Sequence, residues 1–126
     1  MMRDPALEAD FEKAVRLLRG IRAHEIEVIQ PPHWMLEVAS VIVRARPQRV
    51  SLMLGILSTL PFTESGLLAS YRKAAEIAIR LNHHLFDTLY HAVALEERAT
   101  LVTADQAHFG KAKDLGKIEL LADFVM

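Results

Sequence analysis

The chain has 126 residues, of which 52% are hydrophobic, and it carries 15 Lys and Arg against 16 Asp and Glu. This length suits one domain with a buried core, and the near-balance of charge means that a nucleic-acid partner would need a local basic patch. The absence of cysteine excludes disulfides, thiolate zinc sites and cysteine nucleophiles, while the lack of any long apolar run or signal-like N-terminus predicts a soluble, cytoplasmic protein without a membrane partner.

The first half of the chain predicts three helices and one short strand. Apolar residues at helical spacing predict a helix over residues 5–20, with Asp4 as its N-cap. Residues 25–29 alternate between polar and apolar and predict a strand. Residues 31–46 are apolar on nearly every side, which predicts a helix that is buried over most of its surface. A third helix is expected over residues 48–60.

The second half alternates between helices and short apolar strands. The predicted elements are a strand or loop at 61–65, helices at 66–81 and 87–98, a strand at 100–103, a short helix to about 113, and a strand at 117–121. This alternation predicts an α/β domain with a parallel sheet.

Glu37 is the least ordinary acidic residue, because it lies among apolar residues near the start of the apolar helix. An ionised carboxylate taken out of water needs compensation from a metal, an arginine or a helix N-terminus. The alternative is that Glu37 emerges at a gap in the surface and pairs there with an arginine.

Two aspartates flank the most regular stretch of the chain. Asp87 opens the predicted helix over 87–98, and Asp105 follows the strand over 100–103; either could be a helix N-cap. The loop after a parallel strand is also a common ligand position, where the Thr103 hydroxyl could assist. With Glu37, these aspartates provide one acid from each of three elements that a parallel fold can bring to one edge. Such oxygen ligands suit Mg²⁺ or Mn²⁺.

Histidines offer a different metal site. His84, Asp87 and His91 are spaced three and four residues apart and would share a helical face, as in a His/carboxylate site for a transition metal. Six histidines in 126 residues produce such spacings by chance, and His84 is expected to precede the helix. We therefore favour the carboxylate set.

Two segments together resemble a known family. FDTLYHAVALEERATLVTADQAHF resembles the D-x-x-Y-x-x-x-A and L-V-T-x-D signature of PIN domains, in particular the VapC-type toxins of toxin–antitoxin modules. WMLEVASVIVRA resembles the family's helix with its glutamate, and KIELLADF resembles the family's end.

The resemblance implies both a fold and an activity. The fold would be a three-layer α/β/α sandwich with a short parallel sheet, and the activity that of a Mg²⁺- or Mn²⁺-dependent endoribonuclease with RNA as substrate and a protein antitoxin as partner. Residue by residue, Glu37, Asp87 and Asp105 match acidic metal ligands of the family. Thr103 matches the hydroxyl residue of its T-x-D turn, and completes the implied catalytic set.

One feature of the family has no counterpart in this chain. PIN domains open with a central apolar strand that ends in the first metal-binding Asp, whereas Asp4-Pro5 resembles a helix start. A sheet without its central strand has two unpaired edges. We therefore expect the gap to be closed by a homodimer, by strand exchange or by another segment.

The same departure favours an alternative function, that of a catalytically inactive PIN-like module for binding or regulation. A small phosphatase or another α/β hydrolase is disfavoured, because neither a phosphate-cradling glycine-rich loop nor a nucleophile elbow is present in the sequence.

Overall fold

The computed structural model describes residues 5–125, with side chains from residue 12 onward. In this part of the chain the elements are α1 (Pro5–Arg22), β1 (Val28–Gln30), α2 (Trp34–Ala45), α3 (Val50–Ser58), β2 (Phe62–Glu64), α4 (Leu68–Leu81), α5 (Leu85–Glu97), β3 (Leu101–Thr103), α6 (Gln106–Ala112) and β4 (Ile118–Leu120). Short 3₁₀ turns cover Pro47–Arg49, Lys113–Leu115 and Leu121–Asp123. The predicted alternation of helices and strands is confirmed, and the segment left open between strand and loop forms β2. The proposed cap Asp4 lies outside the described residues.

The turn after α1 explains why β1 begins later than predicted. The Gly20 carbonyl accepts hydrogen bonds from the backbone N–H groups of Glu25 and Ile26, at 2.9 and 3.3 Å. These bonds hold Glu25 and Ile26 against the end of the helix, so the extended segment starts at Val28. A Cβ atom at Gly20 would lie 2.7 Å from the Cδ1 methyl of Ile26, so a larger residue at this position would require the Ile26 side chain to shift.

All described strand pairs are parallel, as predicted. β1 pairs with β2, with Val28 opposite Phe62, and β3 pairs with β4, with Leu101 opposite Ile118. The described strands form two separate pairs rather than one continuous sheet. Helix α5 contacts both β1 and β3 and so joins the two pairs.

The main core lies between α4 and α5. Ala74 and Ile77 of α4 pack with Leu89, Ala92 and Val93 of α5, and all five are buried. The Thr88 hydroxyl, which is also fully buried, lies 2.9 Å from the Ala74 carbonyl and 3.0 Å from that of Leu85, either of which can accept its proton. Apolar packing and this polar contact together fix the position of α5.

The prediction that the apolar second helix is buried over most of its surface is wrong for the isolated chain. In α2, Trp34 and Ile42 are buried, whereas Leu36 is 71% exposed and Val43 54% exposed. Helix α2 packs against α3, where Leu52 is also exposed, and Trp34 makes an edge-on contact with Phe62. These contacts cover one side of the helix and leave its other apolar side open.

Despite this apolar content, none of the helices in the described range combines the length and hydropathy needed to traverse a lipid bilayer.

Candidate functional site

Asp87 lies in the first turn of α5 rather than at its cap. The helix begins at Leu85, two residues earlier than predicted, and His84 occupies the N-cap position. Asn82 is the C-cap of α4 and has the left-handed conformation, and only Asn82, His83 and His84 separate the two helices. The His83 ring donates from Nε2 to Asp87 Oδ2 at 2.9 Å. The carboxylate of Asp87 therefore lies close both to the segment between α4 and α5 and to the positive N-terminal end of α5.

Asp105 is the N-cap of α6. Its Oδ1 accepts the backbone N–H of His108 at 3.0 Å, while its own N–H donates to Thr103 Oγ1 at 3.0 Å. The first of these bonds is the main cause that lowers the pKa of the Asp105 carboxyl below its ordinary value, and the charges of His108 and His83 add to the effect. Asp105 is thus ionised at neutral pH, and the capping role weighed from the sequence is present.

A cavity of about 190 Å³ opens at the end of β3, beside α5. Its lining residues are Asp87, Tyr90, Leu101, Val102, Thr103 and His108. Two of the predicted site residues, Asp87 and Thr103, therefore share one cavity at the carboxyl end of a parallel strand, which is the usual place for ligands in open α/β sheets.

Glu37 lies near the cavity because it is close to Tyr90, which is one of the lining residues. Burial is the main cause that raises the pKa of the Tyr90 hydroxyl, followed by the carboxylate of Glu37 and then by that of Asp87. Tyr90 therefore lies close to both acids, although they belong to different helices. Its hydroxyl is neutral at physiological pH and is a hydrogen-bond donor for carboxylates.

A cluster of histidines surrounds Asp87. His83, Asp87 and His108 each place one ligand atom within 4.8 Å of the others. The rings of His83 and His108 have their centroids 4.5 Å apart. His108 is only 3% exposed, and neither of its ring nitrogens has a hydrogen-bond partner. Burial lowers the pKa of His108, as does its neighbour His83, so its imidazole is neutral at physiological pH.

The structure does not bring together the alternative set of His84, Asp87 and His91. His84 is exposed at the cap, and His91 is fully buried with its Nε2–H directed to the Gly116 carbonyl at 2.7 Å. His83, four residues before Asp87, takes the place assigned to His84.

Sequence reasoning also missed His108, although one local signal was available. In the segment D-x-x-H, a capping Asp105 receives the backbone N–H of the residue three positions later, so His108 had to lie beside the predicted site.

The four predicted site residues thus come from α2, α5, the end of β3 and the turn between β3 and α6. Asp87 and Thr103 line the cavity, Glu37 lies near Tyr90, and Asp105 interacts with His108, which lines the same cavity. Carboxylate and hydroxyl oxygens are the donor types that Mg²⁺ and Mn²⁺ prefer. Among the described residues, however, the group that converges closely enough to hold one ion is His83, Asp87 and His108, and it does not include Glu37 or Asp105. The assignment of these four residues as ligands and catalytic groups stays a prediction.

Comparison with known proteins gives one match. The family described as the PIN domain matches residues 6–115. No curated protein and no solved structure matches the chain. The matched range includes all four predicted site residues together with His83 and His108, and it ends before β4.

Proposed function

The chain belongs to the PIN domain family, and we propose that it is a metal-dependent endoribonuclease of the VapC type, the toxin of a cytoplasmic toxin–antitoxin module. PIN domains are generally nucleases and generally use divalent metal ions, so the family itself supports a nucleic-acid substrate. The finer proposal, RNA cleavage by a toxin, rests on the resemblance of the Asp87–Asp105 stretch to VapC-type sequences.

The single observation that supports this proposal best is the shared cavity of Asp87 and Thr103, with Tyr90 extending it toward Glu37. Mg²⁺ or Mn²⁺ bound there would make a water molecule nucleophilic near neutral pH and would stabilise charge on the scissile phosphate.

The chain's own residues have separate parts in this proposal. Glu37, Asp87 and Asp105 would hold the ion through their carboxylates, and Asp105 is well suited because its lowered pKa keeps it ionised. The Thr103 hydroxyl, which accepts the Asp105 N–H, still has a proton to donate to a phosphate oxygen or to water. Tyr90 positions the neighbouring carboxylates.

Asp105→Asn is the sharpest test, because asparagine caps a helix about as well as aspartate and so removes the charge while keeping the turn. We expect Mn²⁺-dependent RNA cleavage to fall by at least about 100-fold with an unchanged unfolding midpoint. Asp114→Asn is the matched control, since Asp114 is exposed in the turn after α6. Cleavage by purified Asp105→Asn at the rate of the parent chain would overturn the assignment.

The second candidate is a catalytically inactive PIN-like module for binding or regulation. Calorimetric titration with Mn²⁺ separates the two candidates. The nuclease proposal predicts binding that Asp105→Asn weakens. No binding at millimolar Mn²⁺, or binding that is equal in parent and variant, favours the inactive module.

We further propose a homodimer that forms through the exposed apolar side of α2 and α3. Leu36, Val43 and Leu52 are more than half exposed there, and contiguous apolar surface on a soluble domain commonly marks a protein interface. Sedimentation of Leu52→Ser should show weakened self-association, whereas Ile79→Ser, on the exposed side of α4, should behave like the parent. A parent chain that stays monomeric at high concentration would contradict the dimer.

The antitoxin is the second proposed partner. We expect a small reading frame beside this gene to encode it, and its co-expression should relieve growth inhibition by the parent chain. Growth inhibition that persists at full strength with this protein present would argue against the pair.

A further inference from the structure

The cluster around Asp87 has a donor set of its own. We propose that His83, Asp87 and His108 form a binding site for a first-row transition-metal ion of the Zn²⁺ class. This site goes beyond the proposed nuclease centre, because two of its three donors are imidazole nitrogens that take no part in the carboxylate set.

The state of His108 is the first observation behind this proposal. Its side chain is 3% exposed, it lines the cavity beside Asp87, and both of its ring nitrogens lack a hydrogen-bond partner. Buried polar atoms in native proteins are nearly always satisfied, and an unsatisfied buried group is costly. A metal ion bound by one ring nitrogen would satisfy that atom directly.

The second observation is the convergence of the three ligand atoms. The His83 Nε2 and Asp87 Oδ2 atoms are 2.9 Å apart, and an atom of His108 lies within 4.8 Å of each. In a tetrahedral zinc site the ligand atoms are about 3.3 Å apart, given metal–ligand bonds of about 2.0 Å. A shift of about 1 Å in the side chains would complete the geometry.

The third is the chemistry of the donors. Two neutral imidazoles and one carboxylate favour Zn²⁺ and its neighbours in the first transition row, whereas Mg²⁺ prefers oxygen ligands alone. The adjoining cavity leaves room for a fourth, exchangeable ligand, as in zinc sites with three protein donors.

The donor sets of the two sites overlap at Asp87 alone. Asp105 belongs only to the carboxylate set, and His83 belongs only to the histidine cluster. Substitution at these two positions can therefore test each site without removing a donor from the other.

The test is calorimetric titration of the metal-free full chain with Zn²⁺, alongside titration with Co²⁺ followed by its visible absorption. We expect one Zn²⁺ per chain, much weaker binding of Mg²⁺ than of Zn²⁺, and Co²⁺ bands of tetrahedral type. His83→Gln and His108→Gln should each weaken Zn²⁺ binding by more than about tenfold. His84→Gln is the matched control, because His84 is the adjacent histidine, is exposed and lies outside the cluster.

Folding is checked by far-ultraviolet circular dichroism, and His83→Gln keeps the test decisive if the buried His108→Gln variant fails to fold. The proposal is overturned if the parent binds no Zn²⁺, if folded His83→Gln binds Zn²⁺ like the parent, or if His84→Gln loses as much affinity as His83→Gln.

Asp105→Asn separates this inference from the nuclease proposal. It should retain Zn²⁺ binding and the Co²⁺ bands whether or not RNA cleavage is lost. Loss of Zn²⁺ binding in folded Asp105→Asn would contradict the three-residue site, while unchanged cleavage in that variant would contradict the nuclease assignment alone.

Discussion

The α4–α5 pair and the α2–α3 pair are both rich in apolar residues, but they differ in how much of their apolar surface is buried. In α5, six residues are buried, among them the polar Thr88 and His91. In α3, none is buried, and Leu52 is 63% exposed. The difference arises from neighbours: α5 packs on α4, β1 and β3, whereas α3 packs mainly on α2 and the short turn before it.

This comparison shows that apolar composition alone does not locate the core. Thr88 is buried because a carbonyl of α4 can accept its proton, and Leu52 is exposed because nothing in the described chain covers that side of α3. The candidate cavity lies on the well-packed side, where Asp87, Tyr90 and Thr103 come from elements that pack on the core. Pre-organised sites need such support.

The largest contrast should come from truncating one apolar side chain in each pair. Ile77→Ala in α4 removes a side chain that is 3% exposed, and should lower the free energy of unfolding by about 2–5 kcal/mol. Leu52→Ala in α3 should change it by less than about 0.5 kcal/mol. Urea denaturation of dilute protein measures both, and equal losses would mean that Leu52 is also part of the folding core.

The next contrast is between Gly66 and Gly55, where replacement by alanine should change the free energy of unfolding in opposite directions. A Cβ at Gly66 would lie 2.5 Å from Pro32 Cδ, so Gly66→Ala should cost about 1–3 kcal/mol. At Gly55 in α3 a Cβ meets no described atom within 4 Å, and Gly55→Ala should gain about 0.5–1 kcal/mol from helix propensity. Thermal unfolding measures both. Destabilisation by Gly55→Ala would show that this side of α3 is covered in solution.

The smallest expected effect is the pH dependence of the free energy of unfolding. Burial and His83 lower the pKa of His108 in the folded chain, with a further lowering by His91, while Asp87 and Asp105 partly oppose the effect. Above pH 6.5, the ordinary value, neither the folded nor the unfolded state gains a proton at this residue. As the pH falls below 6.5, His108 gains a proton in the unfolded chain but not in the folded chain. The contribution of His108 to the free energy of unfolding therefore falls until the pH passes the folded pKa.

The pH contrast is measured by urea denaturation of metal-free protein from pH 7.5 downward. His108→Gln should flatten the decline of the unfolding free energy below about pH 6.5, whereas exposed His84→Gln should leave it unchanged. An identical slope in His108→Gln and the parent would contradict the assignment of this titration to His108.

Periodicity and turn residues predicted the order of the elements and the parallel pairing, because these depend on local sequence. The end of α4 at residue 81 was predicted correctly, whereas the start of α5 was predicted two residues late, since Asp87 is a good cap by itself but His84 occupies the N-cap position. The exposure of Leu36 and Leu52 could not be predicted, because it depends on which elements pack against α2 and α3.

For the site, the sequence indicated Asp87 and Thr103, which share a cavity, together with Glu37 and Asp105. It did not indicate the cluster of His83 and His108, because the contact joins residues 25 positions apart and depends on how close α6 comes to the segment between α4 and α5.

We propose that the cavity between α5 and β3 belongs to a metal-dependent ribonuclease. Incubation of the purified parent chain with RNA, in Mn²⁺ and in EDTA, tests it most directly, with Asp105→Asn in parallel to exclude a contaminating nuclease. We predict cleavage that requires the metal and is lost in Asp105→Asn. RNA that stays intact in Mn²⁺, or that is cut equally by Asp105→Asn, would contradict the account.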